Sequence, residues 1–324
     1  MTLFALSAYL TGEFGNNLGT LTFAYSLKFW LEEEYGIHAN VVPKRWKHGN
    51  WKVRTMQPLQ KCIPISRNWD FETAYKPEVE ILSQEQVQRW PFLEKAPYKT
   101  EAEVNEYLSK FKEILLSGEA RPPNDTISFP FIFADNLAWE GPHADRYYDK
   151  LRQTFQWDPA CCKLKPDPDE TVFHFRGFIT EMPRRGMDLG FEELDENVAA
   201  NELLGHLQPG DKVAIISRFA NHNETQLYAD AMERRGLTVR IIKGQSGVED
   251  FCFMMEAKKE AVGTGMSTFA FWSSYFGNAT SVKLYSVNSP RTRASRIQTQ
   301  HSYDFKNPVL ASRFQFDVYN KTRR

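Results

Sequence analysis

The chain has 324 residues, with 42% hydrophobic and 25% charged side chains and a formal net charge of −1. That length accommodates two domains of ordinary size. Near-neutrality excludes the basic footprint of a nucleic-acid binder and of a protein held on an anionic membrane surface. No stretch approaches the roughly 20 apolar residues of a membrane span, and MTLFALSAYL lacks the basic region and cleavage site of a signal peptide. Cys62, Cys161, Cys162 and Cys252 include an adjacent pair and have no metal-ligand spacing. Reduced thiols in a cytoplasmic protein are therefore expected. A Golgi-type lumenal domain parted from its anchor is the alternative, and the sequons at Asn124, Asn223, Asn278 and Asn320 do not decide between them.

In chain order, residues 2–10 read as a buried first strand, followed by the turn Thr11–Asn17. Leu18, Leu21, Ala24, Leu27, Trp30 and Leu31 recur at three- and four-residue steps, which predicts a helix to Tyr35 ended by Gly36. Ile37–Val42 returns as a strand, completing a βαβ opening with its loop at the strand's carboxyl end. A basic loop with tryptophans follows (Lys44–His48, Trp51, Lys52), then helical segments near Gln84–Trp90 and Glu101–Leu116. Ile127–Phe133 reads as a strand and His143–Trp157 as a helix. Cys161–Glu170, rich in charge and proline, reads as a linker. Its Asp167-Pro168-Asp169 has the form of a metal motif without the context for one.

Beyond the linker the alternation becomes regular. Strands are expected at Thr171–Phe175, Lys212–Ser217, Leu237–Ile242, Glu260–Gly263 and Val282–Ser286. Helices are expected at Glu193–Leu207, Asn223–Arg235, Asp250–Ala257 and from Ser267 onward, and Pro308–Tyr319 reads as a last helix crossing back to the first half. Such alternation predicts parallel sheets. The Gly-x-Gly turn at Gly263 and Gly265 leads into a helix opening with Ser267 and Thr268. That start has the pattern of an ordinary cap, with a seat for phosphate as the alternative. Arg176 at a strand's carboxyl end suits a diphosphate through its planar fork, or a loop carbonyl. No Gly-x-Gly-x-x-Gly follows the first strand, which disfavours a dinucleotide dehydrogenase.

Four runs, in this order, resemble the GDP-fucose glycosyltransferases, most closely the α-1,2-fucosyltransferase family. They are Gly12-x-x-Gly15-Asn16-Asn17-Leu18; Val172-Phe173-His174-Phe175-Arg176-Gly177; Ser217 after a strand; and Glu249-Asp250-Phe251 with Ser267-Thr268-Phe269-Ala270-Phe271-Trp272. The chain departs from the family at Phe178-Ile179, where a Gly-Asp pair is usual, and at Arg218, where an acidic residue is usual.

The resemblance implies a GT-B-like α/β fold of two facing Rossmann-like domains with parallel sheets. The acceptor-side domain would span 1–165, the nucleotide-sugar domain 166–306, and a tail 307–324. It implies an inverting transfer of fucose from GDP-fucose to a glycan hydroxyl with no required metal. Arg176 and His174 are the expected catalytic residues, with Glu13 another candidate base. Gly15, Asn16, Asn17, Arg176, Ser217, Arg218, Asp250, Ser267 and Thr268 are expected to bind the donor. The alternatives are a transferase for another nucleotide sugar and a non-catalytic nucleotide- or glycan-binding relative. Expected partners are a nucleotide sugar and a glycan acceptor, with no nucleic acid.

Overall fold

The computed structural model describes residues 3–10, 14–45, 62–63, 126–129, 145–177, 193–218, 220–243, 246–288 and 305–320, and parts of a helix between 106 and 117. The chain divides into two compact units, 1–158 with 304–307, and 159–303 with 308–324. No described helix is long and apolar enough to cross a membrane.

In the first unit, β1 (Leu3–Leu10), α1 (Phe14–Tyr35), β2 (His38–Arg45) and β3 (Thr126–Phe129) form a parallel sheet of order β2-β1-β3. Helix α1 is buried over much of its length, with Leu18, Leu21, Phe23, Ala24, Tyr25, Leu27 and Leu31 all in the core. A helix of that kind belongs in a core rather than on a surface. Its far end alone is charged: Glu33 and Glu34 pair with Lys150 and Arg146, beside α2 (Tyr148–Thr154). Tyr25 packs edge-on against Phe155 with ring centroids 5.3 Å apart. The chain revisits this unit at residues 304–307, where Asp145 accepts from the backbone N–H groups of Lys306 and Asn307.

The second unit holds β4 (Thr171–His174), α3 (Glu196–Val198) passing into a π-helical turn Ala199–Leu203, β5 (Lys212–Ile216), α4 (Asn223–Arg234) and β6 (Thr238–Ile241). It continues through α5 (Gly247–Met255), β7 (Glu260–Thr264), α6 (Thr268–Phe276), β8 (Ser281–Asn288), α7 (Pro308–Arg313) and β9 (Phe314–Asn320). These strands make a six-stranded sheet, order β6-β5-β4-β7-β8-β9, with every pair parallel. The fold class is α/β, as expected. Counted within this unit, the order is 3-2-1-4-5-6, the doubly wound arrangement whose direction reverses between β4 and β7.

Phe173, Val213, Ile215 and Val262 point to one face of the sheet, where they pack with Leu203, Leu204, Tyr228 and Met232. Fully burying each such side chain contributes about 1.5–3 kcal/mol. Arg235 fastens the α3 end of this layer by donating to the carbonyls of Ala200, Leu204, Gly205 and Leu207. Opposite, α5 and α6 bury Phe251, Phe253, Met254, Trp272 and Tyr275. Arg313 closes the carboxyl end of α6 by donating to the carbonyls of Ser274 (3.1 Å), Gly277 (3.0 Å) and Ala279 (2.7 Å). A cation there satisfies orphan carbonyls and complements the helix dipole.

Three expectations need correction. The final helix stops at Arg313, and residues 314–320 become an edge strand on β8 within the second unit. Period-two alternation in Phe314-Gln315-Phe316-Asp317 favours the strand, and Phe314 packs against Phe271 with ring centroids 6.0 Å apart. The thiols are not reduced: Cys162 and Cys252 form a disulfide with a Cα–Cα distance of 5.2 Å. Finally, Gly15, Asn16 and Asn17 lie in the first turn of α1 instead of in a preceding loop.

Candidate functional site

The reversal between β4 and β7 opens a crevice at the carboxyl ends of the strands, the place where ligands bind open α/β sheets. Two chain segments arrive there together. His174, the last residue of β4, is in register with Gly263 of β7 on one side and with Ile216 of β5 on the other. After Thr264 and a tight turn, α6 begins.

Gly263 lets that helix come close. A Cβ on Gly263 would sit 2.8 Å from the Cβ of Ala270 and 3.6 Å from that of His174, so α6 would have to move. Gly265 differs: its nearest neighbour would be the Ser286 hydroxyl at 3.5 Å. Gly263→Ala should therefore cost about 1–3 kcal/mol through overpacking and weaken any ligand held by the α6 start. Gly265→Ala should stay within about 0.5 kcal/mol of wild type. Urea denaturation of the two variants checks this, and equal midpoints would remove the steric argument.

His174 is buried, and its ring stacks on Phe269 with centroids 4.9 Å apart. Phe269 in turn meets the edge of Phe251 at 5.3 Å. The three rings join the end of β4 to α5 and to the first turn of α6. Burial, with a smaller contribution from the positive charge of Arg176, pushes the His174 imidazole down to about 3. It is neutral at physiological pH, and its Nδ1 is buried with no hydrogen-bond partner among the described residues. A base so weak is a poor proton acceptor. Two residues on, Arg176 is half-buried.

Ser267 is the N-cap of α6, its hydroxyl accepting from the Ala270 N–H at 3.4 Å. Its side chain is thus used in capping, and the first-turn N–H groups beginning at Thr268 are what the helix offers an anion. Ser217 is buried just after β5, and Arg218 beside it is exposed.

At the start of α5, Ser246 and Glu249 form a reciprocal capping box, with Ser246 N–H donating to Glu249 at 2.9 Å. Capping is complete without Asp250, the next residue. Its half-buried carboxyl makes no hydrogen bond or ion pair among the described residues, and burial, then the charge of Glu249, raises it to about 7. A half-buried carboxyl shifted in this way is a functional candidate.

Arg176, Ser217, Arg218, Asp250, Ser267 and Thr268 thus all lie at the carboxyl edge of the second unit's sheet. Gly15, Asn16 and Asn17 belong to the first unit, where Asn17 is buried. Glu13, Trp46–Trp51 and Phe178-Ile179 lie outside the described residues. The ring chain through Phe251 and Phe269 was not assigned a part from sequence. The signal was present, since Phe251 follows Asp250 directly and Phe269 sits two residues after Ser267.

The opposite, amino edge is closed by ion pairs. Glu170 holds Arg240 at 2.6 Å, Glu260 accepts from His206 at 2.9 Å, and Lys212 meets Asp167 at 3.0 Å and Asp169 at 3.3 Å. Asp167 and Asp169 are therefore occupied by a lysine, at the end of the sheet away from the crevice.

No protein-family model matches the chain. No curated protein matches it either. Among solved structures it is similar to POFUT1 in complex with GDP, with 13% identity, a TM-score of 0.44, and coverage of 85% of this chain and 94% of that one. It is also similar to NodZ α-1,6-fucosyltransferase soaked with GDP-fucose, with 10% identity, a TM-score of 0.46, and coverage of 90% and 96%.

Proposed function

We propose that the chain is a GT-B-like glycosyltransferase using a nucleoside-diphosphate sugar, with GDP-fucose as donor and a glycan hydroxyl as acceptor. The observation that supports this most is the pairing of β4 with β7, which sets Arg176, two residues past the end of β4, on the same edge of the sheet as the start of α6. A guanidinium and a helix N-terminus together suit a diphosphate. Asp250 adds a carboxyl for a donor group on the base or ribose.

In an inverting transfer the bond from the anomeric carbon to the β-phosphate oxygen breaks as the acceptor oxygen attacks the opposite face and its hydroxyl proton passes to a base. Negative charge develops on the leaving diphosphate. Arg176 and the α6 N-terminus supply the stabilisation, fixed in place before the reaction begins. His174 holds the Phe269 ring, and with it the first turn of α6, against the end of β4. On this reading the second unit binds the donor and the first unit most of the acceptor. The departures from the α-1,2 pattern at Phe178-Ile179 favour one second reading, a relative that binds the nucleotide without transfer.

Thermal-shift and calorimetric titrations with GDP, UDP, CMP and GDP-fucose, with and without EDTA, test the proposal. GDP and GDP-fucose should raise the melting temperature by mass action, and EDTA should not change this. Arg176→Ala should weaken GDP by about 2–4 kcal/mol, or roughly 30- to 1000-fold. Selectivity for UDP would retain a transferase and remove fucose. No response to any nucleotide would sink the proposal, and tight GDP binding with neither transfer nor hydrolysis would favour the second reading.

A further inference from the structure

We propose that Asn278 is an acceptor for an N-linked glycan. Asn278-Ala279-Thr280 is one of four Asn-x-Thr sequons in the chain. Such triplets arise by chance, so their surroundings must separate them. Asn223 is the first residue of α4. Asn320 ends β9 and accepts from the Asn288 side chain at 2.9 Å. All three asparagines are exposed, and of the three Asn278 alone lies outside helix and strand, in the loop that joins α6 to β8.

The position of that loop follows from the topology. Helix α6 leaves the carboxyl edge at Ser267 and reaches the amino edge by Phe276, where Ser281 starts β8 beside Glu260. A glycan on Asn278 therefore stands at the opposite end of the sheet from Arg176 and the first turn of α6, and leaves the crevice open.

The Cys162–Cys252 disulfide points independently to the same compartment. Disulfides persist in oxidising environments such as the secretory lumen, where asparagine acquires glycans. The co-reactant is a lipid-diphosphate-linked oligosaccharide. The Asn278 Nδ2 forms a bond to the sugar's anomeric carbon, the bond from that carbon to phosphate oxygen breaks, the lipid diphosphate departs with the electron pair, and the amide proton passes to a base of the transferring enzyme.

The fold also sets the order of events. In the folded chain the Thr280 hydroxyl donates to the Lys259 carbonyl at 2.8 Å, and the Asn278 N–H donates to Met255 at 2.9 Å. The sequon threonine is engaged, so modification precedes docking of this loop onto the end of α5.

The test is a peptide map of the full chain, secreted from cultured eukaryotic cells behind an added leader, before and after peptide N-glycosidase in heavy-oxygen water. The expected result is a glycan on Asn278 and its conversion to heavy-oxygen aspartate. Asn278→Gln and Thr280→Ala should each abolish it, and Thr280→Ser should retain it. The wild-type map decides the matter even if a variant misfolds. Recovery of Asn278 unmodified in the secreted, disulfide-bonded protein overturns the proposal, whatever the other sequons carry.

Discussion

Replacing Cys162 and Cys252 together with alanine should lower the unfolding free energy of the second unit by about 3–5 kcal/mol. The bond closes a loop spanning a sequence separation of 90 residues. A cross-link of that span removes roughly 4–5 kcal/mol of chain entropy from the unfolded state in the loop-closure model. It also ties α5 to the segment just beyond the 3₁₀ turn Pro159–Cys161. Cys252 is fully buried and lies two residues from Asp250, so loosening this staple should also disturb the donor crevice. The double substitution avoids stranding one thiol. Urea denaturation with and without reductant measures the effect, and a non-reducing peptide map identifies the linked pair. Identical midpoints and no linked peptide would remove both the disulfide and the compartment argument built on it.

Asp250→Asn should do the opposite to stability while weakening the ligand. The carboxyl sits at about 7 in the fold against an ordinary 3.8, because burial penalises its charged form. For an acid raised in this way, the associated stability is fully present below the ordinary value and is lost as pH rises toward 7. That separation corresponds to roughly 4 kcal/mol, and an amide keeps part of the desolvation cost. The variant should therefore be more stable by about 2–4 kcal/mol at pH 8 and equal to wild type near pH 4. Its affinity for GDP should fall by at least 10-fold if Asp250 receives a donor from the base or ribose. A gain in stability without a loss of affinity would place Asp250 outside the nucleotide site. His174 slopes the other way: lowered to about 3, it contributes stability that is present above 6.5 and lost as pH falls. Asp250→Asn should leave that acid limb in plain view, since the two effects oppose each other between roughly pH 4 and 6.5.

Much of the second unit was legible in the sequence. The expected strand at Lys212–Ser217 is observed as Lys212–Ile216, and the expected helix at Asn223–Arg235 as Asn223–Arg234. Local pattern decides such elements, because backbone hydrogen bonding and the apolar period act over a few residues. The tail failed for a reason of the same kind. The helix-forming run of Pro308–Arg313 masked the alternation that follows, and only an available edge on β8 makes Phe314–Asn320 a strand.

What the sequence determined by itself is the alternation of strands and helices, and the residue types that end them: His174 and Arg176 after one strand, Ser267 and Thr268 after another. The tertiary structure alone decided that β4 and β7 are neighbours, which brings those two ends to one crevice. It alone paired Cys162 with Cys252, buried His174 until its imidazole stays neutral, and left Asp250 without a partner among the described residues beside a completed capping box. The physical reason is common to all four. Strand order, cysteine proximity and desolvation depend on contacts between residues far apart in the chain, and no local period or propensity encodes them.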